Sequence, residues 1–312
     1  MANASTIFDI AAELDRLNSD MLKFSLSILP CLFFIYINCV MLVTLMKKAA
    51  FRGVSRYILF GHMLITDSIQ LLWSMLSYVI AVVKVYMSNG TCAILLTVAN
   101  ITTRISPLNL AVMALERYSA ICFPLRHAEI ATNTRTGIAI GVIWVLGSLN
   151  ALIEFFLFLS IGPPFAVTQV YCIRGKLFEI KLYLDINRVF TAVYLLSVGL
   201  IIIYTYAAIM VEARSVSSDK VKATKARNTV LLHFIQLGLC LTTFLIGVLN
   251  VLASRLEGRA VAEVKYVIFM VFVILPRCLS PLIYGLRDES FRPAFVYYFT
   301  FGLKKKIKPA VT

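Results

Sequence analysis

Apolar residues in this chain run almost unbroken for twenty or more positions, give way to a short polar stretch, and resume. A helix rises about 1.5 Å per residue, so about 20 such residues cross the roughly 30 Å hydrocarbon layer of a bilayer. Seven segments reach that length: 22–46, 57–83, 92–118, 136–159, 186–211, 228–252 and 264–284. They predict an all-α membrane protein, a bundle of seven transmembrane helices. The longest link, 160–185, is too short to fold as a separate domain. The expected organisation is therefore a polar terminus over 1–21, the bundle over 22–284, and a tail over 285–312. Within the tail, 288–306 is rich in Phe and Tyr and ends in Lys304, Lys305 and Lys306, which predicts a short amphipathic helix on the inner leaflet.

Composition supports the same picture. With 60% hydrophobic and 15% charged residues among 312, and a mean hydropathy of +0.86, a soluble domain would hold more apolar surface than its interior could hide. The opening MANASTIFDI lacks the basic stretch, apolar core and cleavage site of a signal peptide, so the first spanning helix is expected to direct insertion. Asn3-Ala4-Ser5 is a glycosylation sequon on a polar terminus, meaningful where that terminus faces the lumen, whereas the sequon at Asn89 abuts the third helix.

Charge sets orientation, because Lys and Arg concentrate on cytoplasmic segments. Lys47, Lys48, Arg52, Arg56, Lys220, Lys222, Lys225, Arg227 and Lys304 to Lys306 fall on one set of connecting segments. That set becomes the inner one when the N-terminus is extracellular and the C-terminus cytoplasmic, at the plasma membrane. The net charge of +14 then flanks lipid-spanning helices, where it serves orientation, contact with anionic lipid and docking of an intracellular partner rather than nucleic acid. In the same orientation Cys92 and Cys172 share the oxidising side and are expected to form a disulfide over the mouth of the bundle. Cys31, Cys39, Cys122, Cys240 and Cys278 are expected to be free thiols.

No enzyme constellation stands out. His62, His127 and His233 lack metal-ligand spacing, no glycine-rich phosphate loop or nucleophile elbow occurs, and neither a cofactor nor a metal is expected. The ionisable residues inside the spans carry more information, since each costs at least a few kcal/mol there. They are Asp67, Arg104, Glu116, Arg117, Glu154 and Arg277. By helical rise Asp67 lies about 15 Å and Arg277 about 11 Å from the inner ends of their helices, close enough in depth for a buried ion pair, whether static or switching. Arg104 lies about 18 Å below Cys92, whereas Glu154 is only about 9 Å from its outer end. Two readings of Arg104 stay open: retention by Glu154 or backbone carbonyls, and a place for an anion, with Asn100 and Thr103 adding hydrogen bonds.

The run from Met113 to Leu125, MALERYSAICFPL, resembles the odorant-receptor signature MAYDRYVAICxPL. Lys225-Ala226, Thr229 and His233 are similar to KAxxTCxxH, and Ser280 to Arg287 resembles NPxIYSLR. Asn38, Asp67, Trp144 and the stretch Thr205 to Ile209 are further points of likeness, so the resemblance spans the chain and looks most like the odorant receptors of fish. It departs at Val230, Ser280 and Ile37, where the family has Cys, Asn and Gly, and in a single outer-loop cysteine. Ser280 counts against a family-type sodium site beside Asp67, a place that Arg277 could occupy instead.

The resemblance implies a rhodopsin-like G-protein-coupled receptor. A small-molecule odorant would bind among the third, fifth, sixth and seventh helices, with Asn100, Thr103, Arg104, Asn187, Phe190 and Tyr194 as candidate contacts and an anionic group as the preference Arg104 suggests. A heterotrimeric G protein would dock at the cytoplasmic face. There Glu116 would restrain Arg117, and Arg117, Tyr118, Tyr206, His233 and Tyr284 would rearrange. Pro107, Pro276 and Pro281 offer kinks for that motion. Two other classes compete. A transporter or channel subunit would need an inverted repeat or regularly spaced arginines, and neither is evident. A non-olfactory rhodopsin-like receptor lacks support in the absence of a mid-membrane lysine in the seventh helix and the presence of Ala99 where an amine ligand would want an acid.

Overall fold

The computed structural model describes residues 4–161, 169–172, 177, 181–216, 238, 245–253, 255–256 and 259–301. Its helices follow the apolar runs. They are α1 (Ala4–Lys47), α2 (Ser55–Val83), α3 (Asn89–Cys122), α4 (Asn133–Ile161), α5 (Lys181–Val216) and α6, described over Ile246–Ala253. The seventh, α7, joins Arg259–Phe269 and Leu275–Arg287 through a π-helical turn at Met270–Ile274, and α8 is Phe291–Phe299. Six of the described helices are long and apolar enough to cross a membrane. Most of the expected sixth span lies outside the described residues.

The exposed surface explains the excess of apolar residues. Leu29, Leu32 and Phe33 on α1, Val142, Val145 and Leu146 on α4, and Val189, Val193, Leu196 and Leu200 on α5 all face outward. Such broad apolar exposure fits lipid, where no hydrophobic effect drives these side chains inward. Polar and small residues turn inward instead: Asn38, Asp67, Gln70, Asn109, Asn150, Glu154 and Arg277 are buried. Close helix approach follows from the small residues. A Cβ on Gly147 of α4 would stand 3.1 Å from Ile105 Cγ1 of α3, so these two helices meet where a larger residue would collide.

Helix α1 begins at Ala4, well before the first expected span, so the segment expected to be a free polar terminus is mostly helical backbone. Ile7, Ile10, Ala11, Leu14 and Leu17 recur there at helical spacing, a period too weak in hydropathy to register as a span. At the same end of the bundle a two-stranded antiparallel sheet pairs β1 (Tyr86–Ser88) with β2 (Gln169–Tyr171), Met87 opposite Val170. Ser88 then caps α3 by accepting from Thr91 N at 3.2 Å. The Cys92–Cys172 disulfide, Cα–Cα 5.4 Å, ties the end of β2 to the start of α3. Cys31, Cys39, Cys122 and Cys278 are free, and Cys240 lies outside the described residues.

At the opposite end α8 packs its apolar side onto the bundle. Phe291 is fully buried and meets Phe51 and Phe60 at ring-centroid distances of 5.8 and 5.4 Å. Asp288 holds the corner before α8: its Oδ1 accepts from the backbone N–H groups of Ser290 and Phe291 at 3.0 and 3.1 Å, and its other oxygen pairs with Arg56. Two orphan donors of the helix start are thereby satisfied. The apolar face expected to lie on lipid is thus partly covered by protein.

Candidate functional site

Two polar constellations lie in the interior, and both begin on α3. Residues four apart on a helix share a face, while adjacent residues differ by about 100°. Asn100 and Arg104 therefore point one way and Thr103 another. Arg104, 4% exposed, donates through Nε to Asn100 Oδ1 at 3.3 Å. Its Nη2 reaches α5, donating to Asn187 Oδ1 at 2.9 Å and to Thr191 Oγ1 at 3.2 Å. Tyr194, one turn further, lies under the guanidinium at 5.7 Å and donates its hydroxyl to the Arg104 carbonyl at 2.5 Å.

Glu154 of α4, 3% exposed, completes this cluster through amides. Asn100 Nδ2 donates to its Oε2 at 3.3 Å, and Asn150 Nδ2 donates to its Oε1 at 3.3 Å and to Asn187 Oδ1 at 3.3 Å. The depth offset between Arg104 and Glu154 expected from the sequence is spanned by Asn100, one turn above Arg104. Phe190 lies half-buried on the same helix as Asn187. Asn100, Arg104, Asn187 and Tyr194 thus come together with Glu154, which the sequence offered as a partner of Arg104, and Asn150 and Thr191 join them. The i, i+4 spacing of Asn150 to Glu154 and of Asn187 to Thr191 was the available sign for these two.

Thr103 belongs to the other constellation, contrary to its expected place beside Arg104. Its hydroxyl donates to Ala99 O at 2.8 Å and accepts from Gln70 of α2 at 3.1 Å, and its carbonyl accepts from Arg277 Nη2 at 3.3 Å. Arg277 Nη1 in turn lies 3.8 Å from Asp67 Oδ1, each side chain 1% exposed. Ser106 donates to the same oxygen at 2.7 Å. The expected buried pair between α2 and α7 is formed, and α3 contributes to both of its partners. This part of the bundle therefore brings α7 to the polar interior, whereas among the described residues Arg104 draws together α3, α4 and α5.

At the end of the bundle away from the disulfide, Glu116 and Arg117 form a pair at 3.9 Å, and His127 Nε2 lies 3.4 Å from the other Glu116 oxygen. His127 starts the single helical turn His127–Ile130 between α3 and α4, a position from which sequence reasoning drew nothing. Tyr118 faces Tyr204 of α5, hydroxyl to hydroxyl 3.3 Å. Tyr206 is half-buried on α5. Asn3, His233 and the side chain of Tyr284 lie outside the described residues. Among the described residues no group of His, Cys, Asp and Glu is arranged to hold a metal ion.

Residues 37–284 match the 7 transmembrane receptor (rhodopsin family). Over 284 residues the chain is 36% identical to odorant receptor 131-2 of Danio rerio, covering 89% of this chain and 87% of that one. Olfactory receptor 11H7 of Homo sapiens is 30% identical over 196 residues, 61% of each chain. The olfactory receptor-like protein OLF4 of Canis lupus familiaris is 28% identical over 198 residues, 61% of this chain and 62% of its own.

Proposed function

The chain belongs to the rhodopsin family of seven-transmembrane receptors, as an odorant receptor and multi-pass membrane protein rather than an enzyme, and from that premise we propose how it works. It binds a small odorant bearing an anionic group in the disulfide-capped half of the bundle and activates a heterotrimeric olfactory-type G protein at the other end. The N-terminus, with Asn3 as a glycosylation acceptor, is extracellular, and the C-terminus is cytoplasmic at the plasma membrane. Charge asymmetry supports this orientation, because the basic segments then lie inside.

The observation that carries the ligand reading is the guanidinium of Arg104, buried and held by the neutral side chains of Asn100, Asn187 and Thr191. Neutral acceptors are exchangeable: a ligand carboxylate, sulfate or phosphate offers Arg a stronger, charge-assisted and bidentate partner. Asn100, Asn187, Phe190 and Tyr194 surround the bound group, and Tyr194 fixes the arginine from beneath. Thr103 acts differently from the sequence expectation. It lies next to Arg104 in the chain while its carbonyl takes Arg277, so displacement of α3 by ligand reaches α7 through one residue.

At the cytoplasmic end Glu116 holds Arg117 in the resting state. Ligand binding favours the conformation in which that pair opens and Arg117, Tyr118, Tyr206, His233 and Tyr284 rearrange to admit the G protein, since a ligand shifts an equilibrium by its differential affinity for the two states. To test this, the chain is expressed with an olfactory-type G protein and exposed to pooled odorants that include straight-chain carboxylates and their matched primary amides. Cyclic AMP should rise for some pools only when the G protein is present. Ligand-gated current without it would contradict the receptor reading.

A further inference from the structure

The cluster that receives the ligand in this reading already contains a carboxylate. Glu154 reaches Arg104 along two arms. One runs from Oε2 through Asn100, whose amide nitrogen faces the carboxylate at 3.3 Å and whose oxygen faces Arg104 Nε at 3.3 Å. The other runs from Oε1 through Asn150 to Asn187, whose oxygen takes Arg104 Nη2 at 2.9 Å. A carboxylate only accepts and a guanidinium only donates, so Asn100 turns its nitrogen to Glu154 and its oxygen to Arg104, while on the other arm Asn150 Nδ2 donates to both Glu154 and Asn187 Oδ1, and that Asn187 oxygen accepts from Arg104. The result is a closed ring drawn from α3, α4 and α5, in which asparagines link two buried side chains of opposite charge.

We propose that Glu154 is the residue that sets the charge specificity of this site. It offsets the charge of Arg104 through the amide arms, disfavours anionic ligands by like-charge repulsion, and leaves the affinity for neutral hydrogen-bonding ligands largely unchanged. The proposal rests on the reading of Arg104 as the ligand's partner. An incoming carboxylate places a second negative charge beside one guanidinium, and Glu154 supplies the repulsion that limits its affinity. With an effective dielectric of about 20, that repulsion is enough to alter affinity about tenfold. Only an anion with a strong enough bond to Arg104 then displaces Asn187 and Thr191, which narrows the range of acids that act as agonists.

The test uses the full-length receptor with its G protein, a cyclic-AMP readout corrected for surface level, and straight-chain carboxylates against their matched primary amides. Glu154→Gln keeps the shape of the side chain and removes the charge. It should improve carboxylate potency about tenfold relative to the amides. Asn187→Asp works in the opposite sense: it puts a carboxylate directly on Arg104 and should weaken carboxylates about tenfold relative to amides. Should Glu154→Gln fail to reach the surface, Glu154→Met, neutral and close in volume, carries the test. A carboxylate-to-amide ratio that loss of the Glu154 charge does not raise, or an equal change for both ligand types, overturns the proposal. Arg104→Gln separates the two levels. If it collapses the ratio while the other variants leave it unchanged, the role of Glu154 falls and the ligand site stands. If it has no effect, or if wild type and Glu154→Gln are both silent towards the carboxylates, the site reading itself falls.

Discussion

Arg104 and Arg277 are both arginines buried in the middle of a membrane bundle, and both touch α3, yet they are held in different ways. Arg277 faces the Asp67 carboxylate directly at 3.8 Å and is tied to α3 through the Thr103 carbonyl. Arg104 is bonded to Asn100, Asn187 and Thr191, and the carboxylate of Glu154 lies beyond the asparagines. A direct ion pair in a low-dielectric interior is hard to part, because separation leaves two uncompensated charges. An arginine held by neutral side chains gives them up for an anion far more readily. The first arrangement suits a scaffold that fixes α7 to α2 and α3. The second suits a place where something binds.

The largest effect is expected from breaking the direct pair. Arg277→Leu leaves Asp67 alone in the interior and should destabilise the fold by about 3–5 kcal/mol, read as loss of receptor from the cell surface. The double variant Asp67→Asn with Arg277→Gln removes both charges and should recover much of that loss; a double variant as poor as the single one would show that the pair does more than balance charge. A smaller effect, about 1–3 kcal/mol, is expected from Gly147→Val, whose side chain would collide with Ile105 just beside Arg104. Because α4 carries Glu154, this variant should also shift odorant potency without altering any ring residue, as measured by dose–response at matched surface levels. Smallest is Thr191→Ala, which takes one hydrogen bond from Arg104 and should change agonist potency by no more than about 1 kcal/mol, a few-fold in the half-maximal concentration.

The two arginines also differ in how legible they were in the sequence. Depth counted along helices was enough to pair Asp67 with Arg277, since a direct contact requires equal depth and little else. The same count set Glu154 apart in depth from Arg104, but a relay through side-chain amides depends on helix rotation and spacing, which apolar runs do not encode. Thr103 was legible and misplaced: a step of one residue turns the side chain by about 100°, away from Arg104 and toward Gln70. The helical start at Ala4 escaped because its pattern is amphipathic rather than uniformly apolar. Asp288 was available as an acidic residue just ahead of a helix, and its neighbourhood had been read only for its aromatic and basic content.

The division of labour between the two arginines is tested most directly by comparing Arg104→Gln with Arg277→Gln in one cyclic-AMP dose–response experiment, normalised to receptor at the surface, with a carboxylate agonist and its matched amide. Arg104→Gln should lose the distinction between the two ligands in the receptors that reach the surface. Arg277→Gln should lose surface level, while the receptors that remain distinguish carboxylate from amide as wild type does. A wild-type carboxylate-to-amide ratio in Arg104→Gln, or a collapsed one in Arg277→Gln at full surface level, would contradict the account.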